Sequence, residues 1–191
     1  MTILLPEFDI CQPDGTVLAS PGSAEFLADF LPTGAIQDVF ASLVAQPSEL
    51  CIAGCVAKMV VTDGDNSITS ARVKLTGIDV FGRAVQEEIS TNAAGTNTYS
   101  GTVPFYTYTA TVAQGVGFTA TDRISLGLAP VLGLPMMIST AGNVLVARID
   151  AAIESPPTIA LVGTNGLATW TPSLAPNGAR RFRAYGYTVA L

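Results

Sequence analysis

Few residues in this chain could do chemistry, and Asp63-Gly64-Asp65-Asn66 comes first among them. It gathers carboxylate and amide oxygens in a short turn sequence, from which a hard cation such as Ca²⁺ could draw part of its roughly 6–8 ligands. The downstream bidentate Glu of an EF-hand loop is missing, so a plain hairpin turn is the simpler reading and no metal ligand is assigned. Glu87 and Glu88 are adjacent, and neighbours on a strand point to opposite faces, which argues against a paired-carboxylate acid–base site within that strand. Cys51 and Cys55 lie four apart and, with Cys11, make an odd count. A structural zinc site takes four Cys or His ligands and the chain has no His, so the thiols read as small buried apolar groups in a reducing compartment. Without His, the commonest general base and the Ser-His and Cys-His pairings are absent. No G-x-S-x-G, P-loop or G-x-G-x-x-G sequence is present, and Gly115-Val116-Gly117 runs into Phe118-Thr119-Ala120-Thr121, which starts no helix. The expectation is a protein that is not an enzyme and uses no cofactor. Arg180, Arg181 and Arg183 form the one basic cluster. On a strand, Arg181 and Arg183 share a face with Tyr185 and Tyr187. An Arg/Tyr stripe is enriched at protein interfaces, although a solvated outer face would carry it equally well.

Composition points towards assembly. Hydrophobic residues make up 49% of the 191 residues and charged residues 13%, and mean hydropathy is +0.45. A dispersed monomer ordinarily keeps about 25% charged residues. Much of this surface must be neutral or covered by partners. The net charge of −6 and pI near 4.4 exclude a general nucleic-acid binder, which needs clustered Lys and Arg. Residues 124–147 lack charge but hold Gly127, Pro130, Gly133, Pro135 and Gly142, so they read as no membrane span. The first residues lack the basic region of a signal peptide.

Charge divides the sequence. Residues 1–57 hold seven acids and no Lys or Arg, whereas residues 58–191 hold the other eight acids and all nine basic residues. The first part carries helical spacing. Ser23 can cap a short helix over Ala24–Leu31, with Phe26 and Phe30 as candidate interface residues, and Thr33 can cap a second with Ile36, Val39, Phe40, Leu43 and Val44 on one face. From Val56 the period becomes two. Strands are expected at Lys58–Thr62, Ile68–Ile78, Arg83–Ser90, Phe105–Val112, Arg123–Leu128, Met136–Ser139, Val144–Asp150, Thr158–Val162 and Arg180–Leu191, with Gln12–Gly15 and Asn177-Gly178 as turns. Short strands at such spacing indicate a mainly β protein, an antiparallel β-sandwich or jelly-roll-like domain over residues 56–191, with an acidic N-terminal arm at 1–55 bearing one or two short helices.

At Thr76-Gly77-Ile78-Asp79-Val80-Phe81-Gly82-Arg83-Ala84-Val85-Gln86-Glu87 the chain resembles a pattern of virion structural proteins of tailed bacteriophages, including small proteins that decorate or cement the head. Leu132-Gly133-Leu134-Pro135 and the stretch from Thr169-Trp170 to Asn177-Gly178 fit the same pattern, and the resemblance covers roughly residues 56–191. It implies a non-enzymatic β protein built into a phage particle, localised to the virion and partnered by the major capsid protein or other virion subunits. A homo-oligomer, dimer or trimer, is expected, without nucleic acid or membrane. Phe26, Phe30, Arg181, Arg183, Tyr185 and Tyr187 are the candidate interface. Alternatives are a tail-tube or head–tail adaptor subunit, and a ligand- or carbohydrate-binding β-sandwich with Ca²⁺ at Asp63 and Asp65.

Overall fold

A computed structural model describes residues 2–4, 8–11, 28–40, 43, 46–49, 51, 53–176 and 180–189. Among the described residues the chain is mainly β, a sandwich-like curl of antiparallel sheets. The strands are β1 (Thr2–Leu4), β2 (Phe8–Cys11), β3 (Ala28–Phe30), β4 (Gln37–Asp38), β5 (Cys55–Thr62), β6 (Ser70–Ile78), β7 (Ala84–Thr91), β8 (Asn97–Phe105), β9 (Thr107–Val116), β10 (Arg123–Gly133), β11 (Val144–Ile149), β12 (Ala152–Glu154), β13 (Thr158–Val162), β14 (Leu167–Thr171) and β15 (Phe182–Val189).

Three antiparallel sheets form. One runs β13-β14-β10-β5-β8, with β3 also on β10; one runs β4-β9-β6-β7; one runs β1-β15-β11-β12, with β2 also on β15. The period-two stretch of β6 behaves as its sequence demands. Ala71, Val73, Leu75 and Gly77 are buried, while Arg72, Lys74 and Thr76 alternate with them towards the outside. Strand β10 has neighbours on both sides and reads as an apolar run rather than an alternation. Its register slips between Leu128 and Leu132, across Pro130, which has no N–H to give the ladder. One continuous core joins the sheets, with Trp170, Tyr108, Phe105, Phe182 and Met59 among its largest fully buried side chains.

The corner between two sheets is tight. The chain leaves β8 at Phe105 and enters β9 at Thr107, passing from one sheet to the other. There a Cβ on Gly77 would stand 2.1 Å from the Thr107 carbonyl oxygen. The Gly in the Thr76-Gly77 pair is thus required by close backbone approach.

The N-terminal segment departs from its helical spacing. Ala28–Phe30 is strand β3 against β10, and Gln37–Asp38 is strand β4 against β9, where helices were expected. Gly115 N donates to Thr33 O and Val39 N to Thr111 O, both at 2.9 Å, so the backbone of β9 supplies the partners that a helix would have supplied internally. A short isolated helix is too weak to compete with such pairing. Val39 is still buried, with Phe40 and Leu43 packed against the core, but Ile36 is 65% exposed. Among the described residues of this segment a 3₁₀ turn stands at Pro47–Glu49. Ser23, Phe26, the Gln12–Gly15 turn and the Asn177-Gly178 turn lie outside the described residues. Met136–Ser139 is not a strand. Pro135 offers no donor, and this stretch reaches β14 through Leu134 N to Ala168 O and the loop after β13 through Ile138 N to Gly166 O. The expected Phe105–Val112 strand is divided at Tyr106 by the change of sheet, and β8, β12 and β14 lay outside the expected set.

Candidate functional site

The turn after β5 brings in a carboxylate that spacing did not reveal. Asp122, just before β10, joins Asp63 and Asp65, and one oxygen from each lies within 4.8 Å of the others. Such a trio could hold a hard cation, so its bonding decides its chemistry. Asp63 Oδ2 accepts from Gly95 N at 2.7 Å and its Oδ1 from Ser67 N at 3.2 Å. Asp122 Oδ2 accepts from Thr119 N at 2.8 Å and the Thr119 hydroxyl at 2.9 Å, and its Oδ1 from Gly64 N at 3.2 Å. Asp65 Oδ1 accepts from Ser67 N. Burial pushes the Asp63 carboxyl up, but N–H bonds from Gly95, Ser67 and Ile68 outweigh it, and its pKa lies below the ordinary carboxylate value. At Asp122 the Thr119 N–H lowers the pKa against a smaller desolvation effect. Both oxygens of both buried acids are already committed to donors. The trio is a clasp that ties three loops, and a metal shell would have to displace those donors.

Residues of the Thr76–Glu87 segment do the same work at another turn. Asp79 is buried, and its Oδ1 accepts from Phe81 N at 2.9 Å and Arg83 N at 3.0 Å. Its Oδ2 accepts from Arg83 Nε at 2.7 Å. Arg83 continues outward, stacking 5.0 Å over Phe81 and donating from Nη1 to Asn165 O at 2.7 Å. Gly82 takes φ +76°, which its lack of a Cβ permits. The Asp-x-x-Gly-Arg segment therefore locks the β6–β7 hairpin and pins it to the loop between β13 and β14.

Glu87 and Glu88 diverge as strand geometry requires. Glu88 faces Arg72 at 3.8 Å on the outside. Glu87 reaches from β7 to the edge strand β8, accepting from the Thr102 hydroxyl at 2.9 Å and from the backbone N–H of Thr102 and Val103. Glu154, on β12, accepts from Trp170 Nε1 at 3.1 Å and Ser173 N at 2.7 Å. Trp170 stacks edge-on against Phe182 at 5.8 Å, which knits the β14 and β15 sheets together. Tyr108 is also buried, 5.1 Å from Phe105, and desolvation drives its pKa strongly upward, so it stays a neutral phenol.

The candidate interface residues are partly brought together. Arg183, Tyr185 and Tyr187 are half-buried on one face of β15, opposite the buried Phe182, Ala184 and Gly186. Arg181 is exposed just before the strand, its N–H donating to Asp150 Oδ1 at 2.9 Å. Arg183 Nη2 donates to Asp150 O at 2.8 Å. Because β15 lies inside its sheet, between β11 and the β1 and β2 strands, the stripe occupies a sheet face and not an edge. Phe30 belongs to a different sheet, on β3.

Exposed apolar side chains lie elsewhere. Ile153 and Leu174, 59% and 50% exposed, flank a cleft of about 370 Å³. Leu161 adjoins another of about 240 Å³ with Ile138 and Leu167. Comparison with family models, curated proteins and solved structures finds no match for the chain.

Proposed function

We propose that this chain is a non-enzymatic structural subunit of a tailed-phage virion, one that decorates or cements the head by bridging coat subunits. The observation that carries the reading is how its acids are used. Every buried or half-buried carboxylate among the described residues (Asp63, Asp79, Glu87, Asp122 and Glu154) accepts hydrogen bonds that fix a turn or join sheets. Acids committed in this way are poor general acids or bases, because their oxygens are taken up by structural donors and are not turned towards a substrate proton. What remains outside is charge-poor and partly apolar, which suits repeated contact with neighbours. Apolar contact contributes about 25 cal/mol per Å² buried, without the desolvation cost of buried ions. The virion-like Thr76–Glu87 segment favours a phage particle over other assemblies.

Binding to heads tests the reading. Expanded heads of the tailed phage from which the chain comes should take up the purified protein saturably, at a fixed ratio to coat subunits, and co-sediment with it. Failure to bind expanded heads would overturn a head role. Rings or tubes of the free protein in electron micrographs would instead favour a tail-tube or adaptor subunit.

A further inference from the structure

The six-stranded sheet ends in β8 on one side and β13 on the other, and the two ends are treated differently. A bare strand edge is a template for another strand, and proteins ordinarily blunt it with charge, proline or a bulge. The β8 edge has Pro104 within it and the Glu87 carboxylate over its Thr102 and Val103 N–H groups. Between Thr158 and Val162 strand β13 has none of these devices, Pro156 and Pro157 standing just before it. Thr158, Ile159, Ala160, Leu161 and Val162 carry no charge and pair with β14 in one continuous register. Among the described residues no strand pairs its outer side.

We propose that β13 is a homotypic joint, at which two copies of this chain pair Thr158–Val162 antiparallel and fuse their six-stranded sheets across a two-fold axis at Ala160. Charge argues for a second copy as the occupant. Residues 155–179 hold no charged side chain, between Glu154 and Arg180, in a chain of net charge −6. Two acidic copies repel unless they meet where neither presents like charges, and this tract supplies such a place. A basic partner would be drawn to acidic side chains, which this edge lacks. The register argues likewise. Pairing about Ala160 sets Ile159 opposite Leu161 of the other copy and Thr158 opposite Val162. Ile159, across from Trp170, packs against the core, and Leu161, two residues on and across from Ala168, shares its face of the sheet. Leu161, 46% exposed at the rim of that face, would gain an apolar neighbour. The joint is isologous and closes after two copies.

The inference deepens the assembly reading by naming a contact between copies, and it depends on oligomeric state and not on attachment to heads. Ala160 is exposed, so Ala160→Lys and Ala160→Glu should leave the fold intact, as unchanged circular dichroism and melting temperature will show. Each variant alone sets like charges face to face at the axis. In sedimentation equilibrium the full-length wild type should dimerise, and each variant should dissociate with its Kd raised at least about tenfold. Mixing the two variants should restore a hetero-pair, seen by native mass spectrometry. A wild type that stays monomeric at high micromolar concentration would overturn the joint. So would a variant that pairs as the wild type does, or two dissociated variants that fail to pair on mixing. Intact dimers that do not bind heads would sink the virion reading alone.

Discussion

The β8 and β13 edges of one sheet show what this chain does with its scarce charge. At β8, Glu87 crosses from the neighbouring sheet and takes up backbone N–H groups that would otherwise face solvent. At β13 the chain offers five neutral residues and a half-open Leu161. A protein with only 15 acids places one of them to close the first edge and none to close the second. Closure of one edge and not the other separates a wall of the body from a surface of contact.

Each part of that contrast can be broken. The largest effect should come from Trp170→Ala, which empties the core beneath β13, removes the contact with Phe182 and takes from Glu154 one of its two donors, leaving Ser173 N. A loss of about 3–5 kcal/mol in urea unfolding is expected, and a loss below about 1 kcal/mol would show that β13 does not rest on this core. Glu87→Ala should cost about 1.5–3 kcal/mol, since hydrogen bonds to a charged group are lost, and it should expose the β8 edge. Light scattering should then report new self-association, and its absence would show that Glu87 stiffens the sheets without guarding an edge. Asp122→Asn should alter pH dependence more than neutral-pH fold. The folded-state pKa values of Asp122 and Asp63 lie below the ordinary 3.8. Their contribution is therefore present above that value and lost as pH falls through the lower folded values. The variant should show a flatter acid limb in melting temperature below about pH 4, whereas an unchanged limb would remove Asp122 from the clasp. The smallest effect is expected for Ca²⁺. A millimolar addition should move the melting temperature by less than about 1 °C, because the carboxylate oxygens are already engaged; a rise of several degrees would restore the cation reading.

Period-two alternation located β6, β7, β11, β13 and β15 closely, because strands buried on one face write that face into every second residue. The N-terminal segment misled, since Val39, Phe40 and Leu43 satisfy helical spacing while their backbone pairs along β9. Nothing local in Leu167–Thr171 marks an inner strand, and β14 exists because β10 and β13 flank it. Of the site, Asp63 and Asp65 were legible as a turn, but Asp122 joins them only through the fold. The opposed directions of Glu87 and Glu88 followed from adjacency, whereas the reach of Glu87 to β8 needed the third dimension. The neutrality of β13 was written in the sequence, and its meaning appeared once it proved to be an edge.

Amide hydrogen exchange, followed from dilute to concentrated protein, tests the contrast between the edges most directly. The account predicts that exchange at Thr158–Val162 slows with concentration while Asn97–Phe105 keeps the same rate. Exchange at Thr158–Val162 that is indifferent to concentration, or slowing confined to Asn97–Phe105, would contradict it.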